Sequence, residues 1–525
     1  MLTIREPYLF IAIIVMLIVP AVWPGELVLP AAGQSIDMPH QQEFMLPEIT
    51  PAMEGQPVDM AVRFEQPCWA PDEARHAVRV YHDDGSSVEE LECQIYDLER
   101  SNSEYITGCK VVFLLQGPGD YILAYDSNEV ETPSYANHVS VDEGSYYYEP
   151  VPGYSIDLDY YSITDDGSIV YGIGQRGDFF GIDMAQKVIK QLPGSESFDV
   201  QNWGQLASYA FFWYEDRDKG TDEQLVSKQV VVDGPLMARV GIESTSDDEK
   251  VTTTAYYTYY HSPGSEKRLM TAVTHEVHEQ CQIRGLEEED GIYAYLLTVR
   301  ARSSSIDKLN LGVIPPYLHV STEDGTIHEY RLDQNPDSTD YKWLLDTRDD
   351  IDIGRPAWFS IDNGDSGTAY ALIFNTSTPA PMDSQPGIQV RAVGRQEVSI
   401  PGLEVDGGGI SGGRNAYEQG GTHDLTIPAG FTAQFTAEFY AAQQDGVTAV
   451  KQEVATYEAL KECRICTGTG ITGDAAERYR LTVTPHLAPS VPLAPALSLL
   501  TGRTLPTTTV ELWRNDTLIS SSVAS

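Results

Sequence analysis

The sequence predicts a mostly β protein with few helices, in which a small β-sandwich precedes a larger antiparallel domain. Three observations support this prediction. Short segments of alternating apolar and polar residues recur along the chain, separated by Gly, Pro, Asn and Asp turns. Segments with the apolar period of a helix are few. Of the 525 residues, 42% are hydrophobic, which is enough for more than one buried core.

The first part of the chain, residues 1–33, predicts a secretory signal or an N-terminal membrane anchor. Tyr8–Trp23 is almost wholly apolar and follows Arg5. This run is shorter than the roughly 20 residues of a spanning helix, and it has the length and flanks of a signal-peptide core. We therefore expect an extracytoplasmic protein, secreted or anchored by its N-terminus, that contacts the membrane only through this segment.

The charge of the chain excludes one class of partner. The sequence has 78 acidic and 34 basic residues, for a net charge of −44. Nucleic-acid phosphates and anionic lipid headgroups repel such a surface. We therefore expect no nucleic-acid partner, and the excess of acidic residues is typical of a strongly solvated surface.

Residues 43–143 predict an immunoglobulin-like β-sandwich. Residues 77–96 alternate apolar and polar side chains around an Asp-Asp-Gly turn, and residues 109–126 form two more strands around Gly-Pro-Gly. Short strands at this spacing are typical of such sandwiches. Ser145–Tyr154, with two prolines and a glycine, marks the expected end of the domain.

The cysteines of an exported chain are candidates for disulfide bonds. Six cysteines allow 15 connectivities, among which the sequence alone does not choose. Cys93 and Cys109 flank one predicted hairpin, and they are therefore the candidate pair.

Residues 154–483 predict a larger domain of longer antiparallel strands. Val251–His261, a charged turn and Arg268–Ile283 form its clearest hairpin. Long strands joined in this way predict a large sheet or a pair of stacked sheets.

Helices are predicted at two places only. Apolar residues recur at helical spacing in Val447–Glu462, and a shorter helix is predicted at Met184–Leu192. Residues 484–525 follow as a linker rich in Pro and Ala and a small C-terminal hairpin.

The stretch THEVHEQC, Thr274–Cys281, raises the question of a metal site. The metalloprotease motif is His-Glu-x-x-His on a helix, whereas here the spacing is one residue short and the element is a strand. Alternation along a strand places His275 on the more apolar face, as a hydrogen-bonded core residue. Glu276 and His278 share the polar face and are the candidate functional pair.

Two glycine-rich stretches are predicted to be irregular. Tyr171–Gly177 matches G-x-G-x-x-G, but a dinucleotide site also needs a parallel βαβ unit, so we interpret it as a turn that places Arg176 on an open edge. Val405–Asp424 is predicted to be a mobile loop that carries Arg414 and Tyr417. A flexible surface insertion is the alternative for the second stretch.

Aromatic residues are candidates for sugar contacts. The strand Val251–His261 carries two tyrosines per face, with Tyr256 and Tyr260 on the same face. A tyrosine on an open sheet face suits stacking on a sugar ring because it combines an apolar ring with a polar tip. Ordinary strand packing is the alternative. Trp203 completes the candidate set.

One acidic loop is a candidate calcium site. Asp333, Asn335, Asp337 and Asp340 offer oxygen ligands at spacings that calcium loops use. The central glycine and the distal glutamate of the EF-hand are missing, so a solvated acidic loop is the alternative. We expect no other cofactor.

The stretch Val230–Val277 resembles a passage of the galactose mutarotase-like supersandwich. The resembling elements are a strand ending in DGPL, the strand ARVGIES and the long hairpin; Arg355–Ile361 is similar to a later strand. The resemblance covers residues 154–483. It implies a supersandwich after the immunoglobulin-like domain and a concave sheet face that meets carbohydrate.

Together these observations predict a protein that binds or processes carbohydrate, with a glycan or cell-envelope polysaccharide as partner. A non-catalytic structural protein of the cell envelope is the alternative. In an enzyme, Tyr417 or His278 would act as the base, and Arg414 would neutralise a substrate carboxylate. The candidate catalytic residues are His278, Tyr417, Glu276 and Arg414, and the candidate substrate-binding residues are Trp203, Arg176, Tyr256 and Tyr260.

Overall fold

The fold is mostly β, as the sequence predicts, with antiparallel sheets and one α-helix among the described residues. Within this part of the chain, no helix combines the length and apolar character that crossing a bilayer requires. The computed structural model describes residues 36–151, 154–176, 178–179, 182–183, 187–190, 206–209, 223–283, 292–295, 298–301, 317–321, 325–331, 351–352, 356–374, 388–398, 405–419, 425–427, 429–464, 479–485, 508–514 and 517–523.

Seven strands form the first sandwich: β1 (His40–Glu43), β2 (Pro57–Trp69), β3 (Val78–Asp83), β4 (Val88–Leu91), β5 (Cys93–Arg100), β6 (Tyr105–Leu114) and β7 (Asp120–Tyr125). One sheet has the order β1-β7-β3-β4 and the other the order β2-β6-β5. Alternate side chains of each sheet, such as Val58, Val80 and Val111, are fully buried in the core between them. A two-sheet sandwich is therefore present where the sequence predicts one.

The next strands begin the larger domain: β8 (Val139–Val151), β9 (Tyr154–Asp165), β10 (Ser168–Arg176), β11 (Asp178–Phe179), β12 (Ile182–Asp183), β13 (Lys187–Lys190) and β14 (Leu206–Tyr209). β8 and β9 form an antiparallel hairpin. The expected boundary at Ser145–Tyr154 is therefore wrong, because its residues pair across this hairpin. The expected helix at Met184–Leu192 is also wrong, because β13 pairs there with β10 and β14.

The strands that carry the resembling segment follow: β15 (Glu223–Asp233), β16 (Met237–Ser246), β17 (Val251–Tyr260) and β18 (Lys267–Val277). β17 and β18 form the predicted hairpin, with Tyr256 opposite Ala272 and Thr252 opposite Glu276. The second strand is shorter than expected. It ends at Val277, and the chain resumes at Cys281 as a separate short strand.

The remaining strands of the larger domain are β19 (Cys281–Ile283), β20 (Ile292–Tyr295), β21 (Thr298–Ala301), β22 (Tyr317–Ser321), β23 (Ile327–Arg331), β24 (Ile351–Asp352), β25 (Ala357–Asp362), β26 (Ala369–Phe374), β27 (Ile388–Val398), β28 (Val405–Gln419), β29 (Leu425–Ile427) and β30 (Thr432–Ala442). A nine-stranded sheet has the order β15-β16-β17-β18-β30-β26-β25-β22-β23. A second sheet has the order β12-β11-β9-β10-β13-β14-β21, with β8 on β9.

The nine-stranded sheet has packing partners on both faces. On one face, the ring of Tyr259 on β17 lies 5.9 Å from the ring of Tyr171 on β10, so the second sheet packs there. On the other face, Met270 and Trp358 share a buried cluster with Tyr96 of the first sandwich. The first sandwich covers only part of this face, and the part nearest Thr252 and Glu276 stays open.

The helix α1 (Gly446–Leu460) covers a further part of the same face. Its five predicted apolar positions are all buried, which confirms the helix. Its first residue, Gly446, has φ 45°, and a Cβ there would lie against the backbone oxygen of Gly364. The first residue of the helix therefore packs directly against the turn between β25 and β26. The buried apolar positions are Val447, Val450, Val454, Tyr457 and Leu460.

Three strands near the C-terminus form a separate sheet: β31 (Tyr479–Pro485), β32 (Thr508–Arg514) and β33 (Thr517–Val523). β32 and β33 form the predicted hairpin. β31 pairs with β32, so the expected division of the chain at residues 483 and 484 falls inside a strand of this sheet.

The candidate disulfide between Cys93 and Cys109 is not formed, and both residues are buried free thiols. Cys93 lies opposite Phe113, four residues along β6 from Cys109. At about 3.3 Å per residue this offset is roughly 13 Å, well beyond the Cα separation that a disulfide spans. The two cysteines flank the β5–β6 hairpin, but its register keeps them apart.

Candidate functional site

The open end of the nine-stranded sheet brings together the candidate pair Glu276 and His278. Glu276 is exposed on β18 opposite Thr252, and the His278 ring Nε2 lies 2.7 Å from the Thr252 hydroxyl. The backbone N–H of His278 donates to the Lys250 carbonyl at 2.7 Å, which holds the residue against the strand end. A carboxylate, an imidazole and a hydroxyl therefore face solvent side by side, as the strand alternation predicts.

Tyr256 lies on the same face of β17 as Thr252, four residues closer to the hairpin turn. It is 41% exposed, which is more than any other aromatic residue in the described part of the structure. Its ring packs over Gly241 on β16, where an added Cβ would lie 3.1 Å from Cε1. The glycine lets the ring lie close to the backbone and present its other side to solvent.

We refer to this surface as the open patch. Tyr256 pairs with Ala272, four residues before Glu276, so the ring and the carboxylate are about 13 Å apart along the strands. Between them lies a pair of half-buried threonines whose hydroxyls both donate and accept hydrogen bonds. The open patch consists of Thr252, Thr254, Tyr256, Thr274, Glu276 and His278.

Tyr260, the second tyrosine expected on this face, is not available to a ligand. It is 1% exposed, and its hydroxyl donates to Asp59 of the first sandwich at 2.7 Å. The Tyr96 hydroxyl donates to the same carboxylate at 2.8 Å, and Arg239 lies 3.5 Å away. Burial raises the pKa of Asp59, against the lowering effect of Arg239 and the two tyrosines. The expectation for Tyr260 was wrong because the sandwich covers this end of the sheet.

His275 is the core histidine that the strand pattern predicts. It is fully buried, and its Nδ1 lies 2.8 Å from the Thr253 hydroxyl. It points to the opposite side of the sheet from His278, so the two imidazoles do not share a metal.

The other predicted site residues have mixed outcomes. Arg176 ends β10, and Arg414 and Tyr417 lie in β28, so both glycine-rich stretches are strands where we expected a turn and a loop. β10 pairs antiparallel on both sides, which excludes the dinucleotide-binding unit at this position. The side chains of these three residues lie outside the described part of the structure. So do Trp203 and the calcium candidates Asp333, Asn335, Asp337 and Asp340, which stay predictions.

A second group of polar residues, which the sequence analysis missed, lies where the first sandwich meets the larger domain. We call it the histidine cluster; its core is His138, Asp166 and His261, whose ligand-type atoms lie within 4.8 Å of one another. The two imidazole rings are stacked, with centroids 4.0 Å apart. His138 Nδ1 lies 2.7 Å from Asp166, and its Nε2 lies 3.0 Å from Glu92 of the first sandwich. Burial lowers the pKa of His138, but the two carboxylates outweigh it, and the net shift is upward.

A buried carboxylate, Asp165, orients the other histidine of the cluster. His261 Nδ1 lies 2.6 Å from Asp165 Oδ1, while Lys267 Nζ and the Tyr259 hydroxyl donate to Oδ2 at 2.7 and 2.5 Å. Burial alone would raise the pKa of Asp165, but the hydrogen bonds from His261, Lys267 and Tyr259 lower it to about 2. Asp165 is therefore a fixed anionic acceptor for the His261 Nδ1–H.

The DGPL turn between β15 and β16 positions both histidines. The Pro235 carbonyl accepts from the His138 N–H at 3.0 Å, and the Leu236 carbonyl accepts from the His261 N–H at 2.8 Å. Gln94 of the first sandwich holds the turn in place by accepting from the Leu236 N–H at 2.9 Å. The DGPL turn is part of the resembling stretch Val230–Val277, but no sequence pattern predicts the residues that it aligns. Those residues are distant in sequence, and only the Asp-Asp-Gly turn at Asp165 is a local signal.

The larger domain contains antiparallel sheets that pack face to face, and the chain is similar in part to several solved structures. An α-mannosidase from Enterococcus faecalis V583 matches with TM-score 0.35 and 10% identity over 78% of this chain and 44% of its own. A variant of the GH36 α-galactosidase AgaA from Geobacillus stearothermophilus, in complex with stachyose, matches with TM-score 0.30 and 10% identity over 61% and 43%. A GalM/aldose epimerase homologue from C. elegans matches with TM-score 0.24 and 10% identity over 57% and 99%.

The chain spans less than half the length of the mannosidase and galactosidase structures. No protein-family model and no curated protein matches this sequence. Identities near 10% and TM-scores of this size leave the function to be argued from the residues of this chain.

Proposed function

We propose that this chain binds carbohydrate on the open patch of the nine-stranded sheet. The observation that carries the proposal is the Tyr256 ring, which lies over Gly241 with 41% of the residue exposed. An aromatic face supported by the backbone is a rigid platform for the apolar side of a sugar ring. Ordering it on binding costs less side-chain entropy than ordering a free side chain, because the ring already packs against Gly241.

The polar members of the open patch supply the directional contacts. Glu276 accepts hydrogen bonds, while His278 and the threonines both donate and accept. Sugar hydroxyls need both kinds of partner, and the patch offers both within one surface. Because Tyr256 and Glu276 are about 13 Å apart, the patch fits an oligosaccharide rather than a single sugar.

The charge of the chain selects among glycans. With a net charge of −44, the protein repels polyanionic polysaccharides, so a neutral glycan is the ligand we propose. We also propose that the chain acts outside the cytoplasm, secreted or held at the membrane by residues 1–33. The apolar run Tyr8–Trp23 supports this localisation, and a cell-envelope polysaccharide is then a natural partner.

A glycan array with the protein tests the proposal. We expect binding to neutral oligosaccharides that weakens about 5- to 150-fold in Tyr256→Ala, because the platform contributes on the order of 1–3 kcal/mol. Ile327→Ala is the matched control, since Ile327 is also 41% exposed on the edge strand β23 of the same sheet. Repeating the array with calcium and with a chelator tests the loop at Asp333 separately.

Two results would count against the proposal. The first is no binding to any glycan under either condition. The second is binding that Tyr256→Ala and Ile327→Ala affect equally, which would place the ligand elsewhere on the protein.

A further inference from the structure

We infer that the histidine cluster is a binding site for a divalent transition metal, of which Zn²⁺ is the best representative. Its ligands are one atom each from His138, Asp166 and His261. Nitrogen from two imidazoles and one carboxylate oxygen form a ligand set that zinc accepts, with a fourth position open to water. This site is separate from the open patch and does not depend on carbohydrate binding.

The two histidines have the outer hydrogen-bond partners that are typical of metal ligands. In metal sites, a ligating imidazole typically donates its other N–H to a carboxylate. His261 places Nδ1 against Asp165, and His138 places Nε2 against Glu92. Each histidine therefore has an outer carboxylate on one nitrogen and directs the other nitrogen into the cluster.

His261 is the most enclosed member of the cluster. It is only 5% exposed, and its Nδ1 lies 2.6 Å from Asp165. Because Asp165 occupies Nδ1, Nε2 is the nitrogen of this ring that would offer its lone pair to a metal.

The charge of the cluster favours a dication. Asp165, Asp166 and Glu92 carry three negative charges and Lys267 one positive charge, which leaves an excess of two negative charges when both imidazoles are neutral. Protonating both histidines would also balance the charge, but it would place two imidazolium rings in a stack 4.0 Å apart. A divalent cation balances the charge without that repulsion.

Metal binding requires local changes at all three ligands. His138 Nδ1 and Asp166 Oδ1 are 2.7 Å apart, whereas two ligands on a tetrahedral zinc lie roughly 3.4 Å apart. Asp166 is the member that moves most easily, because its side chain is 63% exposed in the β9–β10 turn. The DGPL turn fixes the backbone of both histidines, and their stacked rings, 13° from parallel, must rotate so that both nitrogens point at one metal.

Competition between the protein and a Zn²⁺ chelator of known affinity tests the inference on the full chain without an affinity tag. We expect one tight site per chain. Asp166→Asn and His261→Ala should each weaken it more than about 100-fold, and Asp165→Asn about 10–100-fold, because it removes only an orienting acceptor. His328→Ala, an exposed histidine on β23, is the control and should bind as the wild type does.

Asp166→Asn keeps the test meaningful if His261→Ala fails to fold, since Asp166 is exposed and contributes little to packing. Thermal unfolding without metal checks that each variant is folded. The inference is overturned if the wild type binds no zinc at a one-to-one ratio, or if Asp166→Asn binds it as tightly as the wild type.

Discussion

Arg268 and Glu453 form a buried, two-contact ion pair across 185 residues of sequence. Arg268 Nε lies 3.0 Å from Oε1 and Nη2 lies 2.8 Å from Oε2 of Glu453. Gln56 of the first sandwich donates to Glu453 at 2.8 Å. Three parts of the molecule, namely strand β18, helix α1 and the first sandwich, therefore meet at one carboxylate on the covered side of the nine-stranded sheet.

Removing this carboxylate should destabilise the protein strongly. Burial alone would raise the pKa of Glu453, but Arg268 and the hydrogen bonds lower it to about 2, so the group is charged in the fold. Glu453→Gln removes the carboxylate that Arg268 contacts and leaves Glu438 as a buried carboxylate acting on the guanidinium, and we expect a loss of about 3–5 kcal/mol in the free energy of unfolding. Urea denaturation measures this loss.

Glu458→Gln is the matched control for that experiment. Glu458 lies on the same helix and pairs with Lys461 at 2.9 Å near the surface, so its loss should cost under about 1 kcal/mol. Equal effects of the two substitutions would show that the buried pair has no special role.

The Tyr256 platform should depend on Gly241, which lies against its ring. Gly241→Ala places a Cβ 3.1 Å from the Tyr256 ring, which must tilt away from the strand. We expect glycan affinity to fall several-fold while the free energy of unfolding changes by less than about 1 kcal/mol. Titration of a bound oligosaccharide by calorimetry checks this; unchanged affinity would mean that the ring position does not matter.

The first sandwich should lose stability in mild acid because of one buried histidine. Burial, helped by Arg79, lowers the pKa of His76 to about 4, and its Nδ1 accepts from the Val78 N–H. Since the folded pKa lies below the unfolded value of about 6.5, the unfolded state binds the proton first as the pH falls. The contribution of neutral His76 to the free energy of unfolding is fully present above about pH 6.5 and is lost as the pH falls from there to about 4.

Comparison of the wild type with His76→Gln isolates this contribution. We expect the wild type to lose roughly 3 kcal/mol more than the variant between about pH 7 and about pH 4, measured by urea denaturation. Parallel pH profiles for the two proteins would contradict the assignment to His76.

The buried thiols should be unreactive until the protein unfolds. Burial raises the pKa of Cys68 and of Cys93 to about 12, and it raises the pKa of Cys109 well above its ordinary value. Because the thiolate is the reactive form, we expect little labelling of these residues by a maleimide in the native state and full labelling in guanidinium without reductant. Peptide mapping by mass spectrometry shows which of the three cysteines is labelled. A Cys93–Cys109 disulfide would leave both unlabelled in guanidinium.

Local patterns predicted the elements whose period is unambiguous. The apolar residues of α1 recur at helical spacing, and every predicted position is buried. The hairpin of β17 and β18 alternates cleanly, which placed His275 inside and His278 outside. The glycine-rich strand β28 was missed because glycine favours neither strands nor any one face.

Long-range packing explains what the sequence did not predict. Tyr256 and Tyr260 lie on the same face of one strand, and only the first sandwich, which buries Tyr260 against Asp59, distinguishes them. His138 and His261 are aligned by the DGPL turn, which contacts both through its backbone. Backbone hydrogen bonds do not require particular side chains, so no local sequence pattern predicts that these histidines are neighbours.

The measurement that tests the central claim most directly is the glycan-array profile of the wild type beside Tyr256→Ala and Ile327→Ala. We predict that the wild type and Ile327→Ala bind the same neutral oligosaccharides and that Tyr256→Ala loses them. Retention of the full profile by a folded Tyr256→Ala would contradict carbohydrate binding on the open patch.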